Sequence, residues 1–223
     1  DVRSSLEQTI GSYYTQAIDQ QIAAKDVAGA MKLLAAAHAA RLAENVWNQV
    51  AAYAAQECLF AIDQPAHADQ VAAWIDAFHS QFAEVNLDEV IDGHLARSVQ
   101  PLLEAEEFAR AAAHLTARSS WLTQSQRERW ADMVIDAEAR HLVDQQQWTA
   151  AMETYQRGLS QRPSSELLNQ NAVVAIDTWA RKAMDTQAWT QAIQIYEQGL
   201  KLCPSSALLS QNRDYCAQQL PAQ

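Results

Sequence analysis

Apolar residues recur at three- and four-residue intervals along most of the chain, the spacing that lays a single stripe down one face of an α-helix. After residue 147 the stripe reads Trp148, Ala151, Met152, Tyr155 and Leu159. Polar punctuation interrupts it at Pro163-Ser164-Ser165 and again at Pro204-Ser205-Ser206. Proline cannot continue a helix interior, and Ser165 or Ser206 offers a hydroxyl to the orphan N–H groups of the helix that follows. The pattern predicts helices near 4–23, 26–41, 43–62, 66–82, 86–105, 107–118, 123–145, 148–161, 165–186 and 189–202, with a last helix at 205–219. Pro65 predicts a turn between helices. Pro101 falls inside a predicted helix and predicts a kink or a split there.

The stripe is duplicated. Residues His141 to Asn171 align without a gap on Lys182 to Asn212, an offset of 41, with 15 identities in 31 positions. Trp148/Trp189, Ala151/Ala192, Tyr155/Tyr196, Gly158/Gly199 and Pro163/Pro204 are among them. Upstream the identity fades while the rhythm persists, since Ala30, Val71, Ala111 and Ala151 follow one another at intervals of 40 or 41. A fixed period in the range of 20–50 residues signals stacked supersecondary units. Five helix pairs and a capping helix follow, with divergent repeats over 1–122 and regular ones over 123–223. Small Ala151 and Ala192 permit close helix approach, and Trp148 and Trp189 read as core.

The run Ala151-Tyr155-Gly158-Leu159-Pro163 and its copy Ala192-Tyr196-Gly199-Leu200-Pro204 resemble the second helix of the tetratricopeptide repeat (TPR) family. The resemblance covers about 141–219 and departs from the family in two ways. The unit is 41 residues rather than 34, which implies two extra turns on the first helix of each pair. Gln146 and Gln187 stand where the family has a glycine in its tight turn. The resemblance implies an all-α, right-handed α-solenoid whose concave side clamps extended peptides or a partner helix.

Composition narrows the function. Few glycines and prolines leave little turn material for a β architecture, and no apolar run reaches the length of a membrane span, so a soluble all-α protein without membrane insertion is expected. A formal net charge of -11 argues against nucleic acid, which requires a clustered basic face, and biases the chain toward cationic partners. Cys58, Cys203 and Cys216 are too scattered for a disulfide framework or a zinc site, and no bridge between Cys203 and Cys216 is expected. The compartment stays open. A chain that starts at Asp1 without a leader reads as a fragment or mature region of a larger protein.

No catalytic constellation stands out. H-E-x-x-H, a Gly-rich phosphate loop and a G-x-S-x-G elbow are missing, so a non-enzymatic protein with no cofactor and no metal is expected. His38, His67, His79, His94, His114 and His141 are dispersed, with His38 and His79 one period apart at equivalent places on second helices. The recurring charges are more informative, because a core explains repeated Trp and Leu but not repeated ions. Asp136, Arg140 and Asp144 recur 41 residues on as Asp177, Arg181 and Asp185. Four-residue spacing aligns each triad on one helix face, turned away from the stripe of Ile176, Ala180 and Ala183 and hence from its own pair. One reading makes these simple i, i+4 ion pairs. The other makes Arg140 and Arg181 guanidinium forks for a partner's carboxylates or backbone carbonyls, with the aspartates orienting them. Asn171 and Asn212, duplicated within helices, imply a satisfied bond between neighbouring units. Trp179, near Arg181, is the candidate aromatic anchor.

Two function classes remain from sequence. The first is a non-catalytic scaffold that binds a protein or peptide in the concave groove. The second is a structural spacer or oligomerisation arm of a larger protein, which entails self-association.

Overall fold

The computed structural model describes residues 2–64 and 68–220. Among the described residues the secondary structure is entirely helical: α1 (Val2–Ala23), α2 (Val27–Ala39), α3 (Glu44–Ile62), α4 (Ala68–Gln81), α5 (Leu87–Glu104), α6 (Phe108–Thr116), α7 (Gln124–Asp144), α8 (Trp148–Gln161), α9 (Glu166–Asp185), α10 (Trp189–Leu202) and α11 (Ala207–Gln218). The predicted helices correspond to these within two or three residues. The turn expected at Pro65, and His67, lie outside the described residues. α5 runs unbroken through Pro101, so the helix is not split. Pro101 is exposed and sits in the last turn, where one missing backbone bond ends little of the helix. No helix among the described residues is long and apolar enough to cross a membrane.

The chain divides into two compact units, residues 1–101 with 116–123, and residues 102–115 with 124–223. In the first, α1 packs against α2 and α3, α2 against α3, and α3 against α4. Ile18, Leu34, Trp47, Val50, Phe78 and Phe82 are buried in its core. A buried ionic cluster adds to it. Asp63, just past α3, accepts from His94 Nε2 and Arg118 Nε, each at 2.7 Å. Burial alone would raise the Asp63 carboxyl pKa, but the two hydrogen bonds and the charges behind them outweigh burial and hold it below the usual carboxylate range. Nothing periodic announces this cluster, whose members lie 31 and 55 residues from Asp63.

In the second unit each first helix meets its own second helix and the next first helix: α7 contacts α8 and α9, and α9 contacts α10 and α11, while α8 meets α9 and α10 meets α11. This is a helical-repeat arrangement. Gly158 and Gly199 make the approach possible. A Cβ at Gly158 would stand 2.7 Å from Leu168 Cδ1, and one at Gly199 would stand 2.6 Å from Ile176 Cγ2. Fully buried Ile176 and Leu168 each contribute about 1.5–3 kcal/mol by leaving water. Ser165 and Ser206 cap α9 and α11 as expected, accepting from Leu168 N at 3.2 Å and Leu209 N at 3.3 Å. Trp148 and Trp189 are half-buried rather than inside the core, with Trp189 packed against its edge: they open α8 and α10, where the stripe emerges at the end of the pair. Cys58, Cys203 and Cys216 are free and buried, and burial pushes the Cys58 thiol up to about 12.

One backbone device recurs across the chain. Lys25, Glu106, Gln146 and Gln187 have φ of 60°, 61°, 59° and 57°, and each lies two residues ahead of a second helix. At each, two bonds close the preceding first helix, as where Gln147 N reaches Leu142 O at 2.8 Å and Gln146 N reaches Val143 O at 2.9 Å. The paired 6→1 and 5→2 bonds are the Schellman ending, whose left-handed residue is normally glycine. The repeat therefore extends into stretches where sequence identity has faded.

Candidate functional site

The site is assembled by the first helices of the second unit, α7 and α9, with α8, α10 and α11 behind them. Asp136 projects from α7 and Asp177 from α9. Both are buried, and both face their neighbours. Asp136 Oδ1 accepts from Tyr155 Oη on α8 at 3.0 Å and from Asn171 Nδ2 on α9 at 2.7 Å. One repeat later Asp177 Oδ1 accepts from Tyr196 Oη on α10 at 2.8 Å and from Asn212 Nδ2 on α11 at 2.7 Å. Each aspartate thus ties its own second helix and the next first helix to a single oxygen atom. The expectation that the triads turn away from their own pair is corrected for Asp136 and Asp177. Asp177 follows Ile176 by about 100° around the helix and leads Ala180 by about 60°, which sets it on the flank of the apolar stripe rather than opposite it. The bond expected of Asn171 and Asn212 between neighbouring units is present, and its acceptor is this carboxylate.

The second carboxylate oxygen is turned toward the arginines. Arg181 Nε donates to Asp177 Oδ2 at 2.6 Å, and Arg140 Nη1 lies 4.0 Å from Asp136 Oδ2. The Arg181 and Arg140 side chains are 63% and 72% exposed, so buried Asp177 anchors a guanidinium that remains open to solvent, and Arg140 stands near Asp136 without a hydrogen bond. The hydrogen bond that Arg181 donates to Asp177, and then the charge of that carboxylate, raise the Arg181 pKa above its ordinary value. Asp144 and Asp185 are exposed and are the last residues of α7 and α9. A carboxylate at a helix C-terminus is opposed by the macrodipole, so their recurrence is not explained by helix stability.

Between α7 and α9 these groups border a small pocket of about 150 Å³, lined by Arg140, Val143, Asp144, Tyr155, Asn171, Val174, Ala175 and Thr178. Val174, 60% exposed, gives it an apolar wall, and Thr178 Oγ1 is committed to its own backbone through Val174 O at 2.8 Å. Trp179 is elsewhere. Two residues along a helix are about 200° apart, so it lies opposite Arg181. It lines a groove of about 500 Å³ between α8 and α10, with Met152, Leu159 and Lys201. There it stacks on Trp148 with ring centroids 6.4 Å apart and planes 6° from parallel. The expected pairing of Trp179 with Arg181 in one site is therefore not formed.

The distribution of exposed apolar groups is a signal that periodicity alone did not isolate. Among the described residues, large exposed hydrophobics occur on α1 (Val2, Leu6, Tyr13), α3 (Tyr53, Phe60), α9 (Leu167, Val174) and α11 (Leu208, Tyr215), with Leu220 just beyond. The second helices carry none. No group of three His, Cys, Asp or Glu residues among the described residues is arranged to hold a metal. Comparison of the chain with protein-family models, with curated proteins and with solved structures finds no match in any of them.

Proposed function

We propose that the chain is a non-catalytic, tetratricopeptide-like scaffold that holds a protein or peptide partner on the first-helix face of its second unit. The observation that carries this reading is the exposed apolar pair Leu167 and Val174 on α9, the helix on which buried Asp177 holds Arg181 in place. An apolar strip flanked by fixed charges of both signs suits a polypeptide. Val174 and Leu167 take side chains, Arg140 and Arg181 take carbonyls or carboxylates, and Asp144 and Asp185 take N–H groups or cations. A purely structural arm has no use for exposed valine and leucine beside an oriented guanidinium.

The test compares proteins retained from source-cell extract by the native chain and by the Arg140→Glu, Arg181→Glu variant, read by mass spectrometry, with folding checked by circular dichroism. A protein retained by the first and lost by the folded second supports the scaffold. Identical retention by both leaves the spacer or self-association arm as the better description.

A further inference from the structure

The first unit has a groove of its own, about 630 Å³, between α1 and α3. Its base is set by Gly11, where a Cβ would stand 2.6 Å from Val46 Cγ1, so that α1 lies directly against α3. Part of its polar lining is uncommitted. Ser12 and Thr15 return their hydroxyls to the backbone of α1, at Gln8 O and Gly11 O. The side-chain amides of Gln8, Gln16 and Gln49 bond to nothing among the described residues. Each pairs a donor with an acceptor, as a peptide group does. At one end Asp19 accepts from Tyr53 Oη through Oδ1 at 2.7 Å. It has no cationic partner among the described residues, and no lysine or arginine lines the groove. Acidic residues outnumber basic ones by more than two to one in this unit.

We infer that this groove binds an extended peptide segment carrying a lysine or arginine, its cationic head paired with Asp19 and its backbone held by the amides of Gln8, Gln16 and Gln49. The length fits. From Gln8 to Asp19 the helix rises about 16 Å, the span of about five residues of extended chain. Exposed Tyr13 and Tyr53 supply apolar surface on the same two helices. A nucleic acid is disfavoured because nothing in the groove neutralises phosphate, and a second copy would bring its own unpaired Asp19 to face this one. The inference rests on the reading of first-helix faces as partner surfaces, but uses a different groove, different residues and a different probe.

The experiment measures fluorescence anisotropy with pools of labelled, acetylated and amidated pentapeptides. The central residue is fixed as Lys, Arg, Ala or Glu, and the other positions are randomised. The Lys and Arg pools should bind the native protein roughly tenfold more tightly than the Glu pool, the scale of one charge-assisted hydrogen bond. Asp19→Asn, which keeps an acceptor for Tyr53, should bring that ratio within about twofold of unity. Asp76→Asn, an equal charge change at an exposed position on α4, should leave it unchanged. Equal effects of Asp19→Asn and Asp76→Asn would reduce the preference to net charge and overturn the inference. So would a lack of discrimination among pools, and so would self-association of the native protein that a Lys pool does not displace.

Discussion

Asp136 and Asp177 hold neighbouring helices together through one oxygen each, and the charge on that oxygen has measurable consequences. Asp177→Ala removes the carboxylate that accepts from the Tyr196 hydroxyl and the half-buried Asn212 amide, leaves the hydroxyl only the Met184 sulfur at 3.6 Å, and releases Arg181. It should cost about 2–4 kcal/mol in urea denaturation, with Asp177→Asn costing less because its carbonyl still accepts. The tyrosines make the same node sensitive to alkali. Burial, with Asp136 beside Tyr155 and Asp177 beside Tyr196, pushes both phenols far above their ordinary value. Groups raised in the folded state contribute stability that is complete below the unfolded pKa near 10 and is lost as pH climbs above it. Each should add about 1.4 kcal/mol per pH unit to the decline between pH 10 and 11.5. The Tyr155→Phe, Tyr196→Phe variant should therefore start less stable and decline less steeply, as read from urea midpoints at successive pH values. An unchanged slope would mean that the phenols ionise in the folded protein. At this scale the sequence showed that Asp, Tyr and Asn were copied together, but not that they meet. Sequence positions 19 and 35 residues apart converge only once both helix pairs have packed.

Elements were far more legible than the contacts between them, because helix period and proline or serine punctuation act locally. The same punctuation shows where the chain departs from the most favourable local choice. Gln146 and Gln187 occupy the left-handed position of a Schellman ending, where a side chain costs roughly 1–2 kcal/mol that glycine avoids. Gln146→Gly and Gln187→Gly should each raise stability by about 0.5–1 kcal/mol in urea denaturation, even though glycine substitution ordinarily destabilises. A loss of stability at either site would show that the glutamine side chain supplies more than its backbone strain removes. Lys25 and Glu106 share that backbone geometry although the residue types differ, which explains why the repeat fades in sequence before it fades in structure. A turn specified by main-chain bonds places few demands on its side chains. The misjudged features at this scale were Trp148 and Trp189, assigned to the core because they recur. Recurrence marks an equivalent place in each unit, and here that place is the half-exposed start of a second helix.

For the whole molecule the sequence pointed to repeated charges as the functional feature, and one member of each triad, Asp136 or Asp177, is internal bracing. What remains exposed, Arg140 and Asp144 on α7 and Arg181 and Asp185 on α9, lies on first helices, of which α9 also carries exposed Leu167 and Val174, whereas Trp179 faces the groove of the second helices. That separation was invisible in a linear reading that counted Trp179 and Arg181 as neighbours, since adjacency along a helix is not adjacency around it. The central claim is that partners are held on the first-helix face. The most direct measurement incorporates a photoactivatable benzophenone amino acid at Val174 in one variant and at Gln198 in another, irradiates each with the partner captured by the native chain, and scores covalent adducts. The account predicts adducts from position 174 and none above background from 198, in the groove between α8 and α10. Adducts from 198 alone would place the partner on the second-helix face and contradict it.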